Sequence, residues 1–171
     1  MEYKASLDTL SKVITTGVII LFLIIGQRSI RALIAAQGDI TNILMQAGIL
    51  LFLIVALVVC YSFGTQKYLV SNNELVIKRP IKERRIHISD IEEIRLVAPG
   101  DMLGTIRTFG VGGLFGYYGL YYNKGFGSVT LYATQRKNRI FIRTKSGDKI
   151  IISPDDMNLL DKLKSEMHWK R

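Results

Sequence analysis

ILMQAGILLFLIVALVVCYSF, residues 43–63, decides the architecture of this chain. Gln46 is its only strongly polar side chain, and it carries no charge. At about 1.5 Å per residue such a helix reaches roughly 31 Å, which matches a hydrocarbon core of about 30 Å. A helix of that length in a soluble core would show a polar stripe, and this one shows none. The stretch reads as a transmembrane span.

Upstream, Val13 to Gly26 is apolar apart from Thr15 and Thr16. Extension from Leu10 to Ile30 gives a second span, with Lys12 and Arg28 snorkelling to the two interfaces. The competing reading is a cleaved signal peptide. Glu2 and Asp8 dilute its basic start, and the small-x-small triplet Ala36-Gln37-Gly38 lies too far past the apolar run. Residues 1–64 are therefore expected to form a transmembrane hairpin, with spans at about 10–30 and 43–63. Lys4 and Lys12 precede it, and Lys67, Lys78, Arg79, Lys82, Arg84 and Arg85 follow it, whereas Arg28 and Arg31 alone occupy the connection. The positive-inside bias then predicts an integral protein of the cytoplasmic (inner) membrane with both termini cytoplasmic. Without an ionisable group inside the spans, the hairpin reads as an anchor rather than a transport path.

Downstream of the hairpin the composition changes. The mean hydropathy of +0.24 comes almost entirely from before Gly64. The formal charge is distributed the other way: residues 1–64 hold four basic and three acidic side chains, leaving +8 of the total +9 for residues 65–171. A basic unit tethered at a bilayer points to anionic headgroups or an acidic protein; the anchor argues against nucleic acid. Cys60, the single cysteine, lies within the second span, so neither a disulfide framework nor a cysteine metal site is available.

From Thr65 short runs alternate with period two. Tyr68–Val70 and Glu74–Lys78 flank the turn Ser71-Asn72-Asn73, Arg84–Ser89 follows Pro80, and Ile91–Val97 reads as a further strand. Val129–Ala133 and Arg139–Lys145 read as a hairpin, and Lys149–Ile152 pairs back through Ser146-Gly147-Asp148. Six or seven antiparallel strands result. An amphipathic helix over 154–168 is predicted to close the chain, with Ser153 as N-cap, Pro154 in the first position and Asp155 and Asp156 at the positive end of the dipole.

The segment Tyr68–Asp156 resembles the bacterial pleckstrin-homology-like (PH-like) domain family. The resemblance rests on Leu75-Val76-Ile77-Lys78-Arg79-Pro80, Arg85–Ile91, Gly112–Gly119, Tyr132-Ala133-Thr134 and Ile151–Asp156. It implies two transmembrane α-helices followed by a mostly β domain over 65–171. That domain would be a bent antiparallel sheet or partly open barrel with a C-terminal capping helix. It implies a fold and a domain arrangement, and no agreed activity.

Two sets of residues are candidates for contact. The run Lys78, Arg79, Lys82, Arg84 and Arg85 lies just past the second span, where each basic residue near an anionic surface contributes about 1 kcal/mol. The bland reading is a solvated hairpin obeying the positive-inside rule. The second set lies in a Gly/aromatic-rich insertion, 100–127, with nine of the fifteen glycines and seven of the sixteen aromatics. These aromatics are Phe109, Phe115, Tyr117, Tyr118, Tyr121, Tyr122 and Phe126. A loop dipping into headgroups, a protein-partner surface, and a glycine-bent strand pair packed on the core all fit that composition. Gly110-x-Gly112 opens no helix and is not a nucleotide-binding turn. Glu92 and Glu93 are expected on opposite strand faces, and no Cys/His/Asp/Glu cluster is visible, so no metal, cofactor or catalytic set is expected.

The reading is thus a non-catalytic, membrane-anchored binding module, contacting anionic lipid, a membrane-protein partner or a second copy of itself. The alternative is an accessory subunit whose helices pack on those of a larger membrane complex.

Overall fold

The computed structural model describes residues 1–36 and 38–168. Two long helices, α1 (Thr9–Ala35) and α2 (Ile40–Phe63), pack on each other as an antiparallel hairpin. Their 27 and 24 residues span roughly 40 and 36 Å. Both are long and apolar enough to cross a membrane, and nearly all their side chains face outward. Asp8 caps α1 by accepting from Ser11 N at 2.8 Å, and Asp39 caps α2 from Asn42 N at 3.2 Å. Gln46, the polar side chain of the second span, donates to Asn42 Oδ1 one turn earlier.

Ten strands follow the order β1 (Glu2–Lys4), then β2 (Lys67–Ser71), β3 (Glu74–Lys78), β4 (Arg84–His87), β5 (Ile91–Leu96), β6 (Ile106–Gly113), β7 (Gly116–Asn123), β8 (Gly127–Ala133), β9 (Ile140–Thr144) and β10 (Lys149–Ile152). They form two sheets that do not close into a barrel: β1-β2-β3-β4 and β5-β9-β10-β8-β7-β6. The helix α3 (Asn158–His168) packs beside β5. The principal core lies between the sheets and α3, and holds Tyr68, Leu75, Ile77, Ile142, Ile152, Leu159 and Leu163. The opposite face of the larger sheet buries a second cluster around Tyr117, Tyr121, Phe126, Leu131 and Phe141.

Four expectations are corrected. The strand pair β8–β9 is not a hairpin, because β10 inserts between them and runs parallel to β8. The crossover that a parallel pair needs is supplied by residues 134–148, which include β9 itself. The chain before α1 is a strand, β1, paired with β2, with Tyr3 buried in the core. The last helix starts at Asn158 rather than Pro154. Ser153 is buried, and its hydroxyl accepts from Thr134 N and Gln135 N instead of capping, while Asp156 Oδ1 accepts from Asn158 N. Finally, a register shift between Ile91 and Glu93 swings Glu92 and Glu93 toward one partner, and both pair with Arg143 at 3.1 and 3.2 Å.

Candidate membrane-interface site

The glycine-rich stretch folds as the hairpin β6–β7, and its turn docks on both long helices. At Gly113, φ is +120° and an added Cβ would stand 2.5 Å from Ile14 of α1. Only glycine combines that backbone with so close an approach. Thr15 of α1 accepts from Phe115 N at 3.0 Å and donates to Gly113 O at 3.4 Å. On the other helix, the final turn of α2 leaves carbonyls without an intrahelical donor. Tyr118 supplies one, donating to Cys60 O at 2.5 Å. Burial pushes the Tyr118 phenol far above its ordinary range, so it remains a donor across neutral pH. Asp8, besides capping α1, accepts from Tyr117 Oη at 3.2 Å and pairs with Arg136 Nε at 3.3 Å. Hydrogen bonds therefore tie the hairpin and the neighbouring loop to both helix ends.

The seven candidate aromatics divide by face. Tyr117 and Tyr121 lie in the second core, Tyr121 donating to Val111 O at 2.8 Å, and Phe126 packs on Phe141 with ring centroids 5.0 Å apart. Phe115 meets Tyr61 edge-on at 5.6 Å, and Tyr118 stacks on Phe63 at 6.4 Å. Phe109 and Tyr122 alone stay open, 75% and 47% exposed, and beside them Ile106 and Leu120 are 64% and 48% exposed. The pairs Ile106–Tyr122 and Phe109–Leu120 sit directly across β6–β7 and so share one face. The register carries that face through Thr130 and Tyr132 of β8 to Ile150 and Ile152 of β10, where it is the principal core. The larger sheet thus extends past the smaller one and leaves the β6–β7 end of its inner face bare.

The basic run is brought together only in part. Lys78 is hydrogen-bonded to Glu83, holding that carboxyl below its ordinary range. Arg84 pairs with Asp148 at 2.5 Å, and Arg85 with Glu83 at 3.1 Å and Glu74 at 3.6 Å. Arg79 takes a different place, its guanidinium 5.1 Å from the Tyr132 ring and 5.9 Å from that of Phe63. Lys82 is exposed and enters no ion pair among the described residues. The run meets its own carboxylates more than a uniform basic patch would.

A Bacterial PH domain family model matches residues 66–167, which is more than half of the chain. The chain belongs to the bacterial PH domain family. No curated protein and no solved structure matches it. The family supports a role as a binding module, and this PH domain offers two concave places for one. A groove of about 740 Å³ lies between β5 and α3, lined by Glu92, Glu93, Lys145, Lys164, Glu166 and Met167. A smaller crevice of about 410 Å³ lies where α2 meets the bare sheet face. Among the described residues no His/Cys/Asp/Glu group has the arrangement of a metal site. Sequence reasoning missed Ile106 and Leu120, because the glycine-rich composition around them reads as a loop and a register shift between Arg107 and Phe109 breaks the alternation of β6. It also missed Asp8, although an acidic residue just before an apolar run is a helix-start signal.

Proposed function

We propose that this PH domain is a non-catalytic binding module, held at the cytoplasmic face by its helical hairpin, and that the bare face of β6–β7 rests in the headgroup layer. The observation that carries the reading is the position of that face. Phe109 faces Val59, Cys60 and Phe63, the last turn of α2, across one crevice, so it stands level with the end of the span. Exposed apolar and aromatic side chains at that level match the interfacial preference of such groups. Lys82 and Arg79, outside the ion pairs, add a weak attraction to anionic lipid.

The test uses the full chain in lipid nanodiscs with Phe109→Trp as the reporter in a Trp169→Phe background. Bromine-labelled lipids should quench the emission, most strongly when the bromines sit near the headgroups. Emission of a water-exposed indole, untouched by bromines at any depth, would overturn the lipid contact. It would leave the face to a protein partner, as the accessory-subunit alternative requires.

A further inference from the structure

We infer that the crevice between α2 and the β6–β8 face holds one anionic phospholipid, its phosphate on Arg79 and an acyl chain against the glycine floor. The inference rests on the reading that this side of the molecule lies at the bilayer surface, and it names the ligand class there.

Three observations converge on it. First, the lining is continuous with the lipid-facing surface of the anchor: Val59, Cys60 and Phe63 belong to α2, and the opposing wall is Phe109, Val111 and Tyr118. Its volume of about 410 Å³ lies within the roughly 300–1,000 Å³ of small-molecule sites. Second, the floor is bare for a backbone reason. Gly110 and Gly119 sit opposite each other on β6 and β7, both at φ +116°, and a Cβ on either would come within 2.3 Å of a carbonyl oxygen of the other strand. No side chain can fill that part of the crevice, so an apolar strip stays open beside α2.

Third, the charge at the crevice is unmatched. Arg79 lines it, stacked between the Phe63 and Tyr132 rings, and its Nε is buried without a hydrogen-bond partner. Among the described residues it enters no ion pair, unlike Lys78, Arg84 and Arg85 on the neighbouring strands. Stacking occupies the faces of a guanidinium and leaves its edge donors for an anion. Planar fork geometry makes arginine a favoured partner of phosphate oxygens. An apolar slot open toward the membrane with one such cation is complementary to a phospholipid. A peptide segment would instead need main-chain partners: β7 and β8, paired on both sides, offer none, and the one unpaired edge on this side is the outer edge of β6, at the rim of the sheet and not on the face that floors the crevice.

Native mass spectrometry of the full chain released from detergent tests this, with palmitoyl-oleoyl phosphatidylglycerol titrated against diacylglycerol and against glycerol 3-phosphate. One phosphatidylglycerol per chain should be retained. Diacylglycerol, lacking the phosphate, should bind at least about tenfold more weakly, and glycerol 3-phosphate, lacking the chains, should not be retained. Arg79→Gln should weaken phosphatidylglycerol by about tenfold or more, while Arg79→Lys recovers part of the loss. Thr130→Trp, which narrows the crevice from β8 and keeps the Arg79 charge, should remove the lipid as well, and both variants should melt near the wild type. Equal retention of diacylglycerol, undiminished binding in either Arg79→Gln or Thr130→Trp, or a dimer that carries no lipid would each overturn the assignment. The quenching experiment repeated with Ile106→Trp, on the same bare face but outside the crevice lining, reads immersion of the face and not occupancy of the crevice. Quenching without a retained lipid therefore sinks this inference alone, and a retained lipid without quenching sinks the headgroup contact alone.

Discussion

Tyr68 joins the two sheets through one hydroxyl. It stands on β2 with no exposure, donates to Tyr132 O at 2.6 Å and accepts from Ser153 N at 3.0 Å. Tyr68→Phe keeps the ring and strands both backbone groups in the core. The expected loss is about 1–3 kcal/mol, read by denaturant or thermal unfolding of the full chain in detergent. Wild-type melting in Tyr68→Phe would mean that water replaces the hydroxyl. Burial also raises the Tyr68 phenol far above its ordinary value near 10. Above that pH the unfolded chain has released the proton and the folded chain has not, so the folded state binds more protons and stability falls with rising pH. Tyr68→Phe should accordingly flatten the alkaline decline in stability while leaving the neutral-pH slope unchanged. At this scale the sequence was readable only by type. The apolar half of Tyr68 follows from strand alternation, but its partners are backbone groups 64 and 85 positions away. Nothing in a local pattern reports them. The same holds in part for the basic run: the charges are plain in the sequence, but of the carboxylates that meet them only Glu83 lies in the run, while Asp148 comes from the β9–β10 turn and Glu74 from the facing strand β3.

The β6–β7 hairpin is the element that fastens the sheets to the helices, and Gly113 is the point of closest approach. Gly113→Ala adds a methyl 2.5 Å from Ile14 Cδ1 and forces an L side chain to φ +120°. The two penalties together are expected to cost about 1–3 kcal/mol. Ile14→Ala in the same chain removes the steric part and leaves the backbone part. Melting of both single variants and the pair in detergent should therefore show coupling of about 0.5 kcal/mol or more. Strict additivity would show that hairpin and helix do not touch at this point in solution. The element scale is also where sequence reading was most and least successful. Spans of continuous apolar residues and period-two runs announce themselves, because the bilayer and the pleat each impose one rule on every residue. Strand order is set by tertiary geometry instead. Val129–Ala133 and Ile140–Thr144 are consecutive and of equal quality, yet β9 pairs with β5 and leaves β10 to lie beside β8. A glycine-rich segment also hides its strands. A register shift between Arg107 and Phe109 puts Ile106 and Phe109, three positions apart, on one face with Leu120, against the period-two rule.

Over the whole molecule, the anchor is an insertion within the fold rather than an appendage ahead of it. Strand β1 precedes α1 and completes the smaller sheet, so the chain leaves that sheet, makes the hairpin and returns to pair β2 with β1. The segment that leads into α1 is thereby held: Asp8 N donates to Thr134 O at 3.2 Å, and Asp155 N donates to Lys4 O at 3.0 Å. The consequence is that cutting the chain after α2 removes part of the core. Residues 65–171 alone lose Tyr3 and Ala5, both buried, and expose the β2 edge that β1 covers. Burial of Tyr3 contributes about 2 kcal/mol or more. In a domain of about a hundred residues that corresponds to a melting temperature lower by roughly 10 °C. A soluble chain with residues 1–8 joined to 64–171 through a flexible Gly/Ser linker in place of the helices restores β1 without restoring the anchor. It should melt about 10 °C above the truncated form and show less aggregation through the free edge. Identical melting of the two would demote β1 to a passive leader and make the sheets independent of the hairpin. A higher midpoint in the linked chain makes the segment before α1 and the sheets one cooperative unit, with the bilayer span carried as a loop between adjacent strands.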